Sequence, residues 1–194
     1  LKDYDYALQL NPTYSKAFNN RGSVFARKGD YDRAIKDFSE AIGSEPGYAN
    51  AFANRAMVYG KKADYELALK DFDEAIKLQP TSGSFRNERC WIRAITGALQ
   101  AALADCNEAI RLGPKSAAWF DSRGLTYLKL GQWQPAIADY SAALEMRPKM
   151  ASSLYGRGVA KQRAGDAAGG SADIEAATAA SRDIASEFAR YGLR

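Results

Sequence analysis

Histidine is absent from this sequence, which leaves arginine, aspartate and two cysteines as the side chains best able to do chemistry. Its absence removes Ser-His and Cys-His nucleophile pairs, imidazole metal sites and the commonest general base. Cys90 and Cys106 are not in a CxxC arrangement, and two thiolates alone do not form a zinc site. The sequence also has no Gly-rich phosphate-binding loop. We therefore expect a protein that is not an enzyme and that needs no metal or cofactor.

Arginine and aspartate recur along the chain with a fixed period of 34 residues. When the chain is cut at positions 15, 49, 83, 117 and 151, the seventh place of every block is arginine and the twenty-third is aspartate. These columns could form a charged binding site. We favour a structural ion pair within each block, because a helical hairpin would bring the two places together. The expected pairs are Arg21–Asp37, Arg55–Asp71, Arg89–Asp105, Arg123–Asp139 and Arg157–Asp173.

Each block has the pattern of two helices. Apolar and small residues recur at spacings of three and four, as a helix with one buried face requires. A breaker such as Gly29–Asp30 separates the two helices, and prolines at positions 12, 46, 80, 114 and 148 end the second. Self-similarity of this period is typical of stacked repeats. The sequence therefore predicts an all-α fold, an α-solenoid of antiparallel helical hairpins.

The same places carry a resemblance to the tetratricopeptide repeat (TPR) family over nearly the whole chain. Residues 15–82 fit best, and the stretch NNRGSVFARKGDYDRAIKDFSEAI is close to the family consensus. The second half, with NERCWIRAI, ALADCNEAI, DSRGLTYLKLG and SLYGRG, is similar to C-terminal TPR arrays of bacterial proteins. The resemblance implies a right-handed superhelix of hairpins that acts as a non-catalytic scaffold for other proteins.

The repeat boundaries divide the chain as one array. Residues 1–14 match only the second helix of a repeat, so Tyr4, Ala7 and Leu8 are expected to form an exposed apolar face that self-associates. The expected segments after it are full repeats at 15–48, 49–82, 83–116 and 117–150, a degenerate repeat at 151–183 and a capping helix at 184–194.

The expected capping helix carries an apolar stripe. Ile184, Phe188 and Tyr191 lie at i, i+4 and i+7, which places them on one helix face. Solenoids need such a helix to cover the exposed face of their last repeat. We therefore expect residues 184–194 to cover the end of the array.

The TPR resemblance implies that the first helix of each repeat lines a concave groove. The ninth place becomes apolar along the array, which suits an extended or helical peptide. The alternative is that Trp91 and Leu125 pack on each other between repeats. The thirteenth place is basic, and here the alternative is that these cations only complement the helix dipole. The candidate groove residues are Asn19, Asn50, Asn54, Met57, Asn87, Trp91, Leu125, Tyr155, Arg27, Lys61, Lys129 and Arg163.

The two cysteines occupy the eighth and twenty-fourth places of one repeat, on facing helices. One interpretation is that Cys90 and Cys106 are small buried thiols that fill a gap between the helices. The other is a disulfide, which requires a short distance between the two helices and an oxidising compartment. The sequence leaves both interpretations open.

Composition narrows the class of partner. The net charge of +4 is small and dispersed, so nucleic acid is not an expected partner. No apolar run is long enough to insert into a membrane, so we expect a soluble protein, with cytoplasm and periplasm both open. The leading hypothesis is a scaffold that binds a peptide segment of a partner in its groove. The alternatives are an assembly module that acts through the array ends and a regulatory arm of a larger protein.

Overall fold

A computed structural model describes residues 1–113 and 116–193 of the chain, and within them it is all-α, as predicted. Pro114, one of the five periodic prolines, lies outside the described residues, as does Arg194. The helices are α1 (Lys2–Leu10), α2 (Ser15–Arg27), α3 (Tyr31–Ser44), α4 (Ala49–Lys61), α5 (Tyr65–Leu78), α6 (Gly83–Thr96), α7 (Leu99–Leu112), α8 (Ala117–Lys129), α9 (Trp133–Met146), α10 (Ala151–Arg163), α11 (Ala167–Ala180) and α12 (Ile184–Arg190).

The chain forms two compact units whose boundary lies inside α6. Unit 1 is Leu1–Glu88 and unit 2 is Arg89–Arg194. In unit 1, α2 pairs with α3 and α4 pairs with α5, and α3 packs on α4. In unit 2, α8 pairs with α9 and α10 pairs with α11, and α9 packs on α10. Each unit therefore contains the stacked helical hairpins that the repeat pattern predicts.

The turn inside each hairpin needs a left-handed backbone. Glycine supplies it in four hairpins, with positive φ at Gly29, Gly97, Gly131 and Gly165. This conformation costs glycine nothing, because glycine has no Cβ. In the second hairpin Ala63 takes the same role at φ 62, which is a strained choice for a residue with a side chain.

The two helices of a hairpin approach closely at the eighth and twenty-fourth places. A Cβ added to Gly22 would lie 2.9 Å from the Phe38 ring, and one added to Gly124 would lie 2.9 Å from the Tyr140 ring. Phe38 and Tyr140 are almost completely buried in these notches. A small residue at the eighth place is therefore a packing requirement, since a bulky side chain there would displace the aromatic ring that packs between the two helices.

A disulfide takes this position in the hairpin of α6 and α7. Cys90 and Cys106 are bonded, with their Cα atoms 5.5 Å apart, and neither is exposed. This separation lies in the usual range for a disulfide. The structure thus decides between the two interpretations that the sequence left open. In the first and fourth repeats, an aromatic ring packed against a glycine joins the two helices at these places. In the third repeat, the disulfide joins them instead.

The five arginines of the seventh place make the expected pairs. Nε and Nη2 of each one donate to the two carboxylate oxygens of the aspartate 16 residues later, over 2.5 to 2.9 Å. All five aspartates are buried. Two parallel bonds from one planar guanidinium fix the relative position of both helices, which a single bond would not.

Arg21, Arg55, Arg123 and Arg157 also reach back to the preceding repeat, a link that the sequence interpretation missed. Nη1 of each donates to a polar side chain 16 residues earlier. The bonds are Arg21 to Asp5 at 2.7 Å, Arg55 to Ser39 at 2.9 Å, Arg123 to Asn107 at 2.9 Å and Arg157 to Ser141 at 3.3 Å. The sequence signal for this link is the polar residue at the twenty-fifth place of each repeat.

The N-terminal helix differs from the expectation. Leu8 is buried, and Tyr4 and Ala7 are partly buried, so these three residues do not form an exposed apolar face. They pack against the rest of unit 1, because α1 contacts α2. The exposed apolar side chains of this helix are instead Tyr6 and Leu10, at 62% and 70%.

We expect Arg55→Leu to lower the free energy of unfolding by about 3 kcal/mol, because it leaves the buried Asp71 carboxylate without its partner. The double variant Arg55→Leu/Asp71→Leu should recover most of this loss. Urea denaturation checks both values. Lys62→Ala, which removes the exposed bridge to Asp32, is the control and should have no measurable effect. An equal loss in the single and double variants would contradict the assigned role.

Reduction of the Cys90–Cys106 disulfide should lower the free energy of unfolding by about 3 kcal/mol, the loop-closure value for a bridge of this sequence separation. The measurement is urea denaturation with and without a phosphine reductant. Cys90→Ala/Cys106→Ala serves as the control, since the reductant should leave its transition unchanged. Identical transitions for the oxidised and reduced wild-type chain would contradict the prediction.

Candidate functional site

Unit 1 has a cavity on the face formed by its first helices, α2 and α4. The cavity has a volume of about 190 Å³. Most of its lining residues come from the two first helices, and Phe38 of α3 reaches it from behind. The lining residues are Ser23, Ala26, Arg27, Phe38, Asn54, Met57, Val58 and Lys61, which we name the unit 1 pocket.

The unit 1 pocket combines an apolar floor with a basic rim. Phe38 and Val58 are buried beneath it, whereas Met57 is 45% exposed although it is a large apolar residue. Arg27 and Lys61 are exposed at the C-terminal ends of their helices. Within residues 1–113 and 116–193, neither cation is bonded to a carboxylate. An apolar side chain next to a carboxylate would satisfy both parts of this surface.

The candidate asparagines of unit 1 are not equivalent. Asn54 Nδ2 donates to Asn19 Oδ1 over 2.8 Å, and Asn19 is buried, so Asn19 holds Asn54 in place. Asn50 is exposed on the first turn of α4. Asn87 is buried, and its Oδ1 has no hydrogen-bond partner among the described residues. Asn50 and Asn54 are therefore the two that a ligand on this face can reach.

In unit 2, the C-terminal segment covers the candidate groove residues. The rings of Tyr155 and Phe188 lie 4.7 Å apart, and the rings of Trp91 and Tyr191 meet edge to face at 5.9 Å. Ile184 and Phe188 are buried. The apolar stripe of α12 thus lies on the first helices of unit 2, and it contacts side chains as far back in the sequence as α6.

This placement extends the role that the sequence predicted for the last helix. The expected contact with the end of the array is present, because α12 packs on α10 and α11. The contact with Trp91, 100 residues earlier, was not expected. The sequence interpretation placed Phe188 and Tyr191 on an apolar stripe, but it did not place them against the candidate groove residues Trp91 and Tyr155. Their spacing indicated an apolar face, but nothing in the local pattern indicated which surface it would cover.

The remaining unit 2 candidates are engaged within the protein. Leu125 is only 4% exposed and belongs to the same apolar cluster as Ile184 and Phe188, with Trp91 packed against it. Lys129 Nζ donates to the backbone oxygen of Ile95 over 3.3 Å, and burial lowers the pKa of this lysine. Arg163 is exposed. In this conformation, neither Leu125 nor Lys129 is presented to a partner.

Asp121 on α8 is the acidic group beneath the C-terminal segment. Burial raises the pKa of Asp121 to about 6, against a hydrogen bond from the Ser153 hydroxyl that lowers it. The nearby carboxylate of Glu187 on α12 raises it further. Tyr140 on α9 also faces this region, and burial and the charge on Asp121 raise the pKa of its hydroxyl.

The fold and the repeated arginine–aspartate pairs define a class of protein, an array of helical hairpins that presents the surfaces of its first helices. Family models named "Tetratricopeptide repeat" and "TPR repeat" match residues 15–48, 49–82 and 124–165. The chain belongs to the tetratricopeptide repeat family.

Solved structures of this family resemble the chain over nearly its full length. YrrB, described as a TPR protein with an unusual peptide-binding site, is 17% identical with a TM-score of 0.72, and 98% of each chain is covered. A fragment of MamA from Desulfovibrio magneticus RS-1, from residue 41 to the end, is 18% identical with a TM-score of 0.74, covering 87% of this chain and 96% of the fragment. A TPR protein from Parabacteroides merdae is 17% identical with a TM-score of 0.77, covering 99% and 81%. At these identities the likeness shows the fold.

No curated protein sequence matches the chain significantly. Among the described residues, none of the helices combines the length and the apolar character that crossing a bilayer requires.

The raised pKa of Asp121 predicts a pH-dependent stability. Between pH 3.8, the ordinary pKa of an aspartate, and about pH 6, the folded chain holds a proton that the unfolded chain has lost, so the free energy of unfolding falls as the pH rises. The slope is at most about 1.4 kcal/mol per pH unit. Asp121→Asn removes this contribution. Urea denaturation from pH 4 to 7 should show the variant gaining stability relative to the wild type, and a pH-independent difference would contradict the assignment.

Proposed function

We propose that this protein is a protein–protein interaction scaffold that binds a peptide segment of its partner at the unit 1 pocket. The observation that carries the proposal is the exposed Met57 between the two exposed cations Arg27 and Lys61. Met57 lies beside a recess with an apolar floor, so a ligand seated there would remove its apolar surface from water. The likeness to YrrB, whose description names a peptide-binding site, supports the same function.

The chemistry of the unit 1 pocket defines the partner segment. Two cations without a carboxylate partner among the described residues favour an acidic side chain or a chain terminus on the ligand. Met57 favours an apolar side chain beside it, because methionine adapts its shape to different ligands. The side chain of Asn54, held by Asn19, offers its carbonyl oxygen to a backbone N–H. The preferred ligand is thus a short segment with an apolar residue next to acidic ones.

Assembly through the N-terminal helix is the second candidate function. Tyr6 and Leu10 are the most exposed large apolar side chains among the described residues, and both lie on α1. Neighbouring exposed apolar side chains favour association with another protein surface. This candidate uses a part of unit 1 different from the pocket, so the two functions are separable by mutation.

Peptide-display selection on the full chain should enrich segments that combine an apolar residue with acidic ones. We expect Met57→Ala to weaken binding of a selected peptide about tenfold, which corresponds to about 1.4 kcal/mol. Lys61→Glu should weaken it further and reverse the salt dependence, because the rim then repels the ligand's acidic groups. Fluorescence anisotropy at two salt concentrations measures both effects.

Matched control variants lie on α5 of the same unit. Leu67 is 47% exposed, close to the value for Met57, so Leu67→Ala removes a similar apolar side chain outside the pocket. Lys70→Glu makes the same charge change as Lys61→Glu at another exposed position. Both controls should bind like the wild type. If selection enriches nothing, and sedimentation shows an oligomer that Leu10→Ser dissociates, assembly through α1 replaces the proposal.

A further inference from the structure

The segment that covers unit 2 has the form of a bound peptide. It is a helix of seven residues, Ile184–Arg190, followed by Tyr191. Its contacts are made by an apolar stripe at i, i+4 and i+7, the pattern by which an amphipathic helix binds a groove. The surface beneath it includes Trp91 and Tyr155, two residues that the sequence predicts to bind a partner. The chain's own C-terminus thus lies where a ligand was expected.

Several features limit the stability of this docked helix. Helices shorter than about 12 residues are marginal in water and depend on the surface they pack against. No side-chain hydrogen bond caps the N-terminus of α12. Glu187 of α12 lies close enough to Asp121 of α8 to raise the pKa of that carboxyl, so two acidic groups of like charge lie near this contact. The ring contacts with Tyr155 and Trp91 must offset these unfavourable terms.

The covalent attachment of α12 compensates for the weak contact. Only three residues, Ser181 to Asp183, connect it to the preceding helix. A short tether of this kind gives the segment an effective concentration in the millimolar range, so a modest affinity is enough to keep it bound. A separate helix with better complementarity would compete with it at much lower concentration.

We propose that the first-helix face of unit 2 is a second binding surface, which α12 occupies as an intramolecular ligand. A partner helix with large apolar residues at i, i+4 and i+7 displaces α12 and binds in its place. The partner differs from α12 in one respect. It has a neutral or basic residue at the place of Glu187, because an acidic one there adds negative charge near Asp121. The inference extends the proposed scaffold function to a second surface, and it uses none of the residues of the unit 1 pocket.

The test uses the full chain and a fluorescent peptide of residues 181–194 as the probe. Phe188→Ala/Tyr191→Ala removes the two ring contacts of the tethered helix and should bind the peptide at least tenfold more tightly than the wild type, whose face is occupied. Adding Trp91→Ala should abolish the gain. A peptide with Glu187→Gln should bind the opened variant more tightly still above pH 6, because Asp121 is then ionised.

The controls separate this surface from the unit 1 pocket. Met57→Ala, added to the Phe188→Ala/Tyr191→Ala variant, should leave binding of the probe unchanged. The experiment can therefore contradict this inference without contradicting the proposed peptide binding at the unit 1 pocket, and the reverse. Circular dichroism shows whether the double variant is folded. If it is not, Tyr191→Ala alone, which removes one partly buried ring, replaces it and should still bind the peptide more tightly than the wild type.

Two outcomes would overturn the inference. One is a folded variant that binds the peptide no better than the wild type, because α12 would then be a permanent part of the unit 2 core. The other is a wild-type chain that forms a dimer by exchanging α12 between copies, detected by sedimentation of the wild type and the Phe188→Ala/Tyr191→Ala variant. The occupant would then be a second copy and not a partner helix.

Discussion

The structure depends on the hydrogen-bonded ion pair that the arginine at the seventh place of each repeat makes with the aspartate at the twenty-third. The arginine's guanidinium holds the aspartate of its own hairpin by two parallel bonds and, as at Arg55, also reaches a side chain of the preceding second helix. A planar group with five donors can make both contacts at once, which lysine cannot. One side chain therefore sets the angle within a hairpin and the register between hairpins. The surfaces that the first helices present follow from this register.

The two units use this framework differently. In unit 1 the first-helix face is open, with Met57 in water between two cations. In unit 2 the first-helix face is covered, since Trp91 and Tyr155 contact the C-terminal residues Tyr191 and Phe188. The same scaffold thus presents one exposed first-helix surface in unit 1 and, in unit 2, one that the chain's own C-terminal residues cover. The disulfide between Cys90 and Cys106 joins α6 to α7 at the start of unit 2. Cys90 is next in sequence to Trp91, which Tyr191 contacts.

The helical hairpins were predictable because the residues that specify each hairpin lie close together in the sequence. Apolar spacing, a glycine at the turn and a small residue facing a large one all lie within a single block of 34 residues. The pairing of Arg21 with Asp37 could be inferred in the same way, since a hairpin must bring those two places together. The second bond of Arg21, to Asp5, was missed, although the polar column at the twenty-fifth place was visible in the sequence.

The sequence by itself determined the repeat, its length and which residues face inward, because these depend on periodicity and on backbone preferences of single residues. Only the tertiary structure decided what each surface contacts. Whether Cys90 and Cys106 bond depends on a distance between helices, and the docking of Tyr191 on Trp91 joins residues 100 positions apart. Contacts of that range depend on how several hairpins pack together, and no local pattern of residues encodes them.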